Sequence, residues 1–290
     1  MLQERISLIM VYRTILLLLF SCSILLSACG TRGTPVIRPE ILESKLSVLM
    51  ITSDKLSDPV KQKIGSKLLE WRSGNQIAFE WMKDKAAIDE SMITSIKSKP
   101  YDYIYVIGTD LFLTAIQAAD QDKDSKWTLL QDQMTLQQPP VKSDNLSILQ
   151  IDPKQAADVR TNWVNQMLAQ KESVEWVTFA ENPIPAEWAP SEEADHIVLL
   201  NNNGDWFNQL NYQTRLHASK WIIFNAPTDA SFGNRAKTIG VSVVDLTAPL
   251  EAELNWDAIL AGRLNMMTGR TWVKGIQAYN GQEMKQLLIK

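Results

Sequence analysis

Residues 101–119, YDYIYVIGTDLFLTAIQAA, contain the pattern that decides the fold class. The apolar and aromatic run predicts a buried strand that ends at Gly108. From Asp110 to about Ala119, apolar residues recur at helical spacing. A buried strand that leads directly into a helix is the repeating unit of α/β proteins with parallel sheets.

The same unit recurs on both sides of this stretch. In the first half of the chain we predict further strands over 46–51, 76–82, 127–131 and 145–151, and helices over 59–72, 86–97 and 154–170. In the second half we predict strands over 174–179, 196–200, 221–225 and 237–244, a proline-broken loop over 181–190, and helices over 206–218 and 253–267. Two successive blocks of this kind predict an α/β protein with two lobes, parallel sheets flanked by helices, and a cleft between the lobes.

Composition excludes several functional classes. The 290-residue chain is 45% hydrophobic and 21% charged, which is ordinary for a globular protein. A net charge of -4 argues against nucleic acid as a partner, because binding phosphates needs clustered Lys and Arg. Two cysteines and two histidines are too few for a typical zinc enzyme or a disulfide scaffold.

The first residues read as a targeting segment. Residues 14–26, TILLLLFSCSILL, have the length of a signal-peptide core and are too short to span a bilayer comfortably. The following LSACG, at 26–30, matches the lipobox of bacterial lipoproteins, which implies cleavage before Cys29 and a diacylglycerol on its sulfur. The alternatives are an uncleaved anchor and a chance cysteine in an ordinary signal peptide. We therefore expect a lipoprotein signal peptide over 1–28, a lipidated cysteine and tether over 29–44, and a two-lobed domain over 45–290.

Three stretches carry a resemblance to a known family. Residues 101–119, 145–168 (NLSILQIDPKQAADVRTNWVNQML) and 237–267 are similar to strand and helix units of the basic membrane protein family of lipoproteins. That family has the type I periplasmic-binding-protein fold and includes substrate-binding proteins of nucleoside importers and Med-type regulatory lipoproteins. The resemblance implies a nucleoside-like small polar ligand, delivery to an ABC permease and an extracytoplasmic, membrane-anchored location.

The chain also departs from the family pattern. The loop TSDKLSD, at 52–58, has aspartates but neither the phenylalanine nor the asparagine that the family presents to its ligand. A glycine-valine-aspartate motif of the family is Gly240-Val241-Ser242 here, and a helix near 183–190 is missing, which shortens the second lobe. These departures favour the alternative of a ligand-free regulatory or interaction lipoprotein that uses the same fold as a scaffold.

Ligands of open α/β sheets bind beyond the carboxyl ends of the strands, and this rule selects the candidate ligand-binding residues. Phe112 and Trp206 match positions where the family often has aromatic residues, and each could either stack on a planar ligand or pack within its own lobe. The full set of candidates is Ser53, Asp54, Gly108, Asp110, Phe112, Asn203, Trp206 and Asn225.

We expect no catalysis, no cofactor and no metal. The sequence lacks the Gly-x-Ser-x-Gly, Gly-x-x-x-x-Gly-Lys-Ser/Thr, His-Glu-x-x-His and Gly-x-Gly-x-x-Gly motifs. His196 and His217 do not have metal-ligand spacing, and His196 precedes a strand that reads as buried. We therefore expect both histidines to be structural.

Overall fold

Two parallel sheets organise the computed structural model, which describes residues 45–135, 143–188, 195–201 and 204–289. Its strands are β1 (Ser47–Ser53), β2 (Ala78–Lys85), β3 (Tyr103–Ile107), β4 (Lys126–Leu130), β5 (Leu146–Gln150), β6 (Val174–Thr178), β7 (Ile197–Leu199), β8 (Trp221–Phe224), β9 (Ser242–Asp245), β10 (Glu251–Leu254), β11 (Gly275–Ala278) and β12 (Met284–Leu288). Its helices are α1 (Asp58–Asn75), α2 (Glu90–Lys97), α3 (Phe112–Gln121), α4 (Pro153–Ala169), α5 (Trp206–Leu216), α6 (Ala230–Lys237) and α7 (Trp256–Thr268), with a 3-10 turn at Thr109–Leu111.

The first sheet has the strand order β11-β5-β4-β3-β1-β2, and every neighbouring pair is parallel. Strands β1 and β3 are interior strands and are almost entirely buried, which explains why both read as continuous apolar runs. Apolar side chains on the two faces of the sheet form two separate core clusters with the covering helices.

The second sheet has the order β7-β6-β8-β9 and is also parallel throughout. Successive residues of β6 point to opposite faces, so Val174 and Trp176 enter one core cluster and Val177 enters the other. In each sheet, the strand that comes second along the chain lies at one edge, next to the strand that comes first: β2 beside β1, and β7 beside β6. The α/β class with parallel sheets flanked by helices is therefore confirmed.

The chain passes between the sheets more than once. After β5, helix α4 leads to β6 in the second sheet, and β11 later returns to pair with β5 in the first. An antiparallel ribbon of β10 and β12 flanks this return. The contacts of Leu46–Lys290 group into one compact unit.

Several predicted elements need correction. The predicted strand 237–244 begins only at Ser242, because Lys237 ends helix α6, which the sequence analysis did not predict. The predicted helix 253–267 loses its first residues to β10 and starts at Trp256, where the Asn255 side chain accepts a hydrogen bond from the Ala258 N–H. Strands β11 and β12 were not predicted.

The connection between β6 and β7 is described over residues 179–188 and 195–196. These residues form turns and a short 3-10 segment, and no α-helix. Trp188 from this connection stacks on Trp176 with ring centroids 6.2 Å apart, so the loop packs on the sheet.

Candidate functional site

The carboxyl ends of β1 and β3 meet in a polar cluster. Ser53, the last residue of β1, is fully buried, and its Oγ donates a hydrogen bond to Asp110 Oδ2 at 2.9 Å. The Lys55 backbone N–H donates to Ser53 Oγ at 3.0 Å, and Lys55 Nζ lies 3.5 Å from Asp110 Oδ2. Asp54 is exposed beside them. Four predicted candidates, Ser53, Asp54, Gly108 and Asp110, therefore lie together.

Gly108 makes this close approach possible. Its φ is +131°, and a Cβ at this position would lie 2.4 Å from the Ser53 Cβ. No side chain fits at that distance, so the end of β3 can reach the end of β1 only through a glycine.

A second carboxylate, that of Asp132 just beyond β4, lies at the same edge of the first sheet. Asp132 Oδ1 accepts hydrogen bonds from the Thr109 N–H and the Thr109 hydroxyl, each at 2.7 Å. Neither residue was among the predicted candidates. Asp132 immediately follows the predicted strand 127–131, and this position beyond a strand end was a usable signal.

Tyr279, just beyond β11, makes a buried hydrogen bond at the same edge of the first sheet. Its hydroxyl donates to the Gln131 carbonyl oxygen at 2.7 Å, and the Gln131 side-chain Oε1 accepts from the Ile151 N–H at 2.7 Å. Burial raises the pKa of Tyr279 well above its usual value, so the hydroxyl stays a neutral donor. This contact joins a late strand to the ends of β4 and β5, and no local sequence pattern predicted it.

A cavity of about 300 Å³ opens at this polar edge. One side is formed by the first sheet and α1, and the other by β10 and the start of α7. Its lining residues are Lys55, Leu56, Ser57, Val60, Asp132, Gln133, Ala252, Glu253, Leu254 and Trp256. An ammonium group, carboxylates and an apolar wall give the cavity the mixed character of small-molecule sites.

The two predicted stacking aromatics occupy core positions. Phe112 is only 4% exposed and packs with the apolar residues beneath α2 and α3. Trp206 is 7% exposed, lies 5.1 Å from the Phe232 ring centroid and is covered by the Arg235 guanidinium at 5.6 Å. The structure therefore favours the packing alternative for both rings, because neither offers a free face in this conformation.

The remaining candidates are placed elsewhere. Asn225 follows β8 in the second sheet, where its backbone N–H donates to the Val177 carbonyl at 2.9 Å and its side-chain Nδ2 lies 3.5 Å from the Pro183 carbonyl. Asn203 and Cys29 lie outside the described residues. Among the helices that the structure describes, none is long and apolar enough to cross a membrane.

Comparisons with known proteins give distant structural likenesses. No protein-family model and no curated protein sequence matches the chain. Similar solved structures include a ligand-free, open substrate-binding protein with adhesive properties from Clostridium difficile (12% identity, 84% of this chain, 91% of that chain, TM-score 0.44). Another is a transcriptional activator of the comK gene from Bacillus halodurans (10% identity, 83% of this chain, 89% of that chain, TM-score 0.43). A third is a sugar ABC transporter structure from Yersinia enterocolitica (12% identity, 81% of this chain, 81% of that chain, TM-score 0.41). At this distance the likenesses assign no function, and the architecture rests on the strand pairings described above.

Proposed function

We propose that this chain is a membrane-anchored, extracytoplasmic binding lipoprotein, without catalytic activity, that holds a small polar ligand at the carboxyl edge of its first sheet. The observation that carries the proposal is the 300 Å³ cavity at this edge, beside the Ser53–Asp110 and Thr109–Asp132 pairs. Strand ends of parallel sheets are where such folds bind ligands.

The polar groups suggest a ligand that carries hydroxyl groups. Asp132 in the cavity lining provides carboxylate oxygens that can accept hydrogen bonds from hydroxyls, and Lys55 provides an ammonium donor. Asp110 lies outside the lining, 3.5 Å from the Lys55 ammonium. Val60, Leu254 and Trp256 supply apolar surface on which a ring could rest. A nucleoside or a similar polar ring fits this combination, and an ABC permease is the membrane partner that the family resemblance implies.

The anchor is proposed from the sequence. The LSACG motif at 26–30 follows an apolar stretch of signal-peptide length, and lipid on Cys29 would hold the domain at the membrane surface. A single acyl chain binds a membrane only marginally. A diacylglycerol carries two acyl chains and therefore gives a stable anchor.

Thermal unfolding of the full-length chain in detergent tests the ligand proposal. Nucleosides, bases, sugars and amino acids are added as separate classes. A ligand at about one hundred times its dissociation constant stabilises the folded state by roughly 2.7 kcal/mol, which raises the melting temperature by several degrees. We expect one class to give this shift, and we expect Asp132→Asn to abolish it.

Asp158→Asn is the matched control. It removes a carboxylate from an exposed ion pair on α4, remote from the cavity lining, and it should leave the ligand shift unchanged. A shift that persists in Asp132→Asn but disappears in Asp158→Asn would place the ligand elsewhere and contradict the proposed site.

A ligand-free regulatory or interaction lipoprotein is the second candidate. The burial of Phe112 and Trp206 in their own core clusters favours it, because neither of these two rings is then free to enclose a ligand. No shift with any ligand class, in a sample that unfolds cooperatively, would favour this candidate over the first.

A further inference from the structure

Three chemically reactive side chains meet at the amino edge of the second sheet. Glu175 is the second residue of β6, His196 immediately precedes β7, and His217 directly follows α5. Residues 175 and 177 point toward the face that α5 covers, while Trp176 points to the opposite face. The sheet and the helix end thus bring together residues that are far apart in the sequence.

The contacts within this His–Glu cluster are short. Glu175 Oε1 lies 3.1 Å from His196 Nδ1 and 2.8 Å from His217 Nδ1, and the Ser219 hydroxyl donates to the same oxygen at 2.7 Å. The two imidazole rings lie with centroids 3.9 Å apart. Candidate ligand atoms of the three residues are all within 4.8 Å of one another.

Hydrogen bonding alone leaves part of this carboxylate without a partner. All three neighbours converge on Oε1, whereas Oε2 has no hydrogen-bond partner among the described residues. The Glu175 side chain is fully buried, so this oxygen is also shielded from water. A buried carboxylate oxygen without a partner destabilises the folded state unless a cation or a donor compensates it.

We propose that Glu175, His196 and His217 form a binding site for a divalent transition metal ion of the zinc class. Two imidazole nitrogens and a carboxylate oxygen are a donor set that zinc accepts, with a fourth position left for water or the Ser219 hydroxyl. Ligands held at about 2.0–2.1 Å from a tetrahedral ion are roughly 3.3 Å apart, so the 3.1 and 2.8 Å distances from Glu175 Oε1 to the two imidazole Nδ1 atoms need to widen only slightly.

The cluster is accessible to an ion in solution. The side chains of His196 and His217 are 22% and 18% exposed, respectively, while the Glu175 side chain is fully buried. An ion can therefore approach along the histidine side and meet the carboxylate at the inner end.

This site is separate from the cavity proposed to bind a ligand. It lies at the amino ends of β6 and β7, whereas the cavity lies at the carboxyl edge of the first sheet. The metal would join the beginnings of two neighbouring strands to the end of α5. Its expected role is to stabilise the second sheet, because a metal that binds the folded state alone raises its stability.

Zinc titration of the full-length chain tests the proposal. The protein, in detergent, is stripped with a chelator, and any free cysteine thiol is alkylated because thiolates also bind zinc. Calorimetry with zinc sulfate alone should show one ion per chain and a higher melting temperature. Cobalt(II) in place of zinc should give the intense visible absorption of a tetrahedral site.

Asparagine variants separate metal binding from hydrogen bonding. In His196→Asn and His217→Asn the amide can still donate to Glu175 from a position similar to Nδ1, but the imidazole ligand is gone. Each variant should weaken zinc binding at least roughly tenfold and abolish the cobalt bands. Asp158→Asn, which alters an exposed carboxylate on α4, should change neither.

Two results would overturn the site. One is a folded wild-type chain that binds no stoichiometric zinc. The other is zinc binding that is equally tight in the double variant His196→Asn/His217→Asn. Melting curves of the chelator-treated variants show whether each still folds, so a loss of binding through unfolding is recognised directly.

Discussion

At the scale of single residues, Gly108 controls the geometry of the polar edge. In Gly108→Ala the new Cβ would meet the Ser53 Cβ at 2.4 Å and would occupy a backbone conformation with φ of +131°. We expect the substitution to lower the free energy of unfolding by about 1–3 kcal/mol, because both the clash and the strained φ oppose folding. Urea unfolding measures the change.

Gly74→Ala provides the comparison for Gly108→Ala. Gly74 lies in helix α1, and a Cβ there has no neighbour within 4 Å. Alanine should stabilise this helix by roughly 0.5–1 kcal/mol because it is less flexible than glycine in the unfolded chain. If the two substitutions change the free energy of unfolding equally, the close contact at Gly108 does not cause the destabilisation.

The site was only partly predictable at this scale. Ser53 and Asp110 follow strongly apolar strands, so the rule on strand ends identified them. Tyr279 reaches the edge through a strand that pairs far from its sequence neighbours, and no local pattern marks it. The His–Glu cluster was missed for a similar reason, since strand register and a helix end place its members together and sequence spacing does not.

At the scale of secondary structure, a buried ion pair fixes helix α7 to the segment before β12. Arg263 Nη2 donates to Glu283 Oε1 at 3.0 Å, and the side chains are 9% and 5% exposed. We expect Arg263→Leu to lower the free energy of unfolding by about 3–5 kcal/mol, because Glu283 is left as a buried charge without its partner. Urea or thermal unfolding measures this loss.

The double variant Arg263→Leu/Glu283→Leu identifies the cause. Removal of both charges should recover most of the lost stability, because no unpaired buried charge then remains and only the Asn280 N–H loses its acceptor. If the double variant is as unstable as Arg263→Leu or less stable, the loss comes from packing of the arginine side chain and not from the unpaired buried charge of Glu283.

Elements with a strong local pattern were predicted, and elements that depend on distant pairing were not. The buried strands β1, β3 and β6 are continuous apolar runs that the sequence displays directly. Helix α6 buries only Ala236, so its sequence ASFGNRAK lacks the apolar periodicity that marks a helix. Strand β11 is four residues long and is held by β5.

At the scale of the whole molecule, the C-terminal residues complete the first core. Tyr279, Met284 and Leu287 belong to the same apolar cluster as Val48 and Met50 of the buried strand β1. A chain that ends at Lys274 would lose these side chains together with the edge strand β11. We expect it to lose its cooperative unfolding transition and its near-ultraviolet circular dichroism, whereas a chain that lacks only Lys290 should keep both. A cooperative transition in the shorter chain would contradict this role.

The return of the chain to the first sheet also has a consequence for synthesis. Strand β5 leaves the ribosome well before β11, its neighbour in the sheet, and at ordinary translation rates the delay is on the order of ten seconds. Throughout that interval one edge of the first sheet has open backbone groups and its core lacks Tyr279. The nascent chain therefore stays incompletely folded until its last strands emerge, and during this interval its open strand edge can pair with other chains.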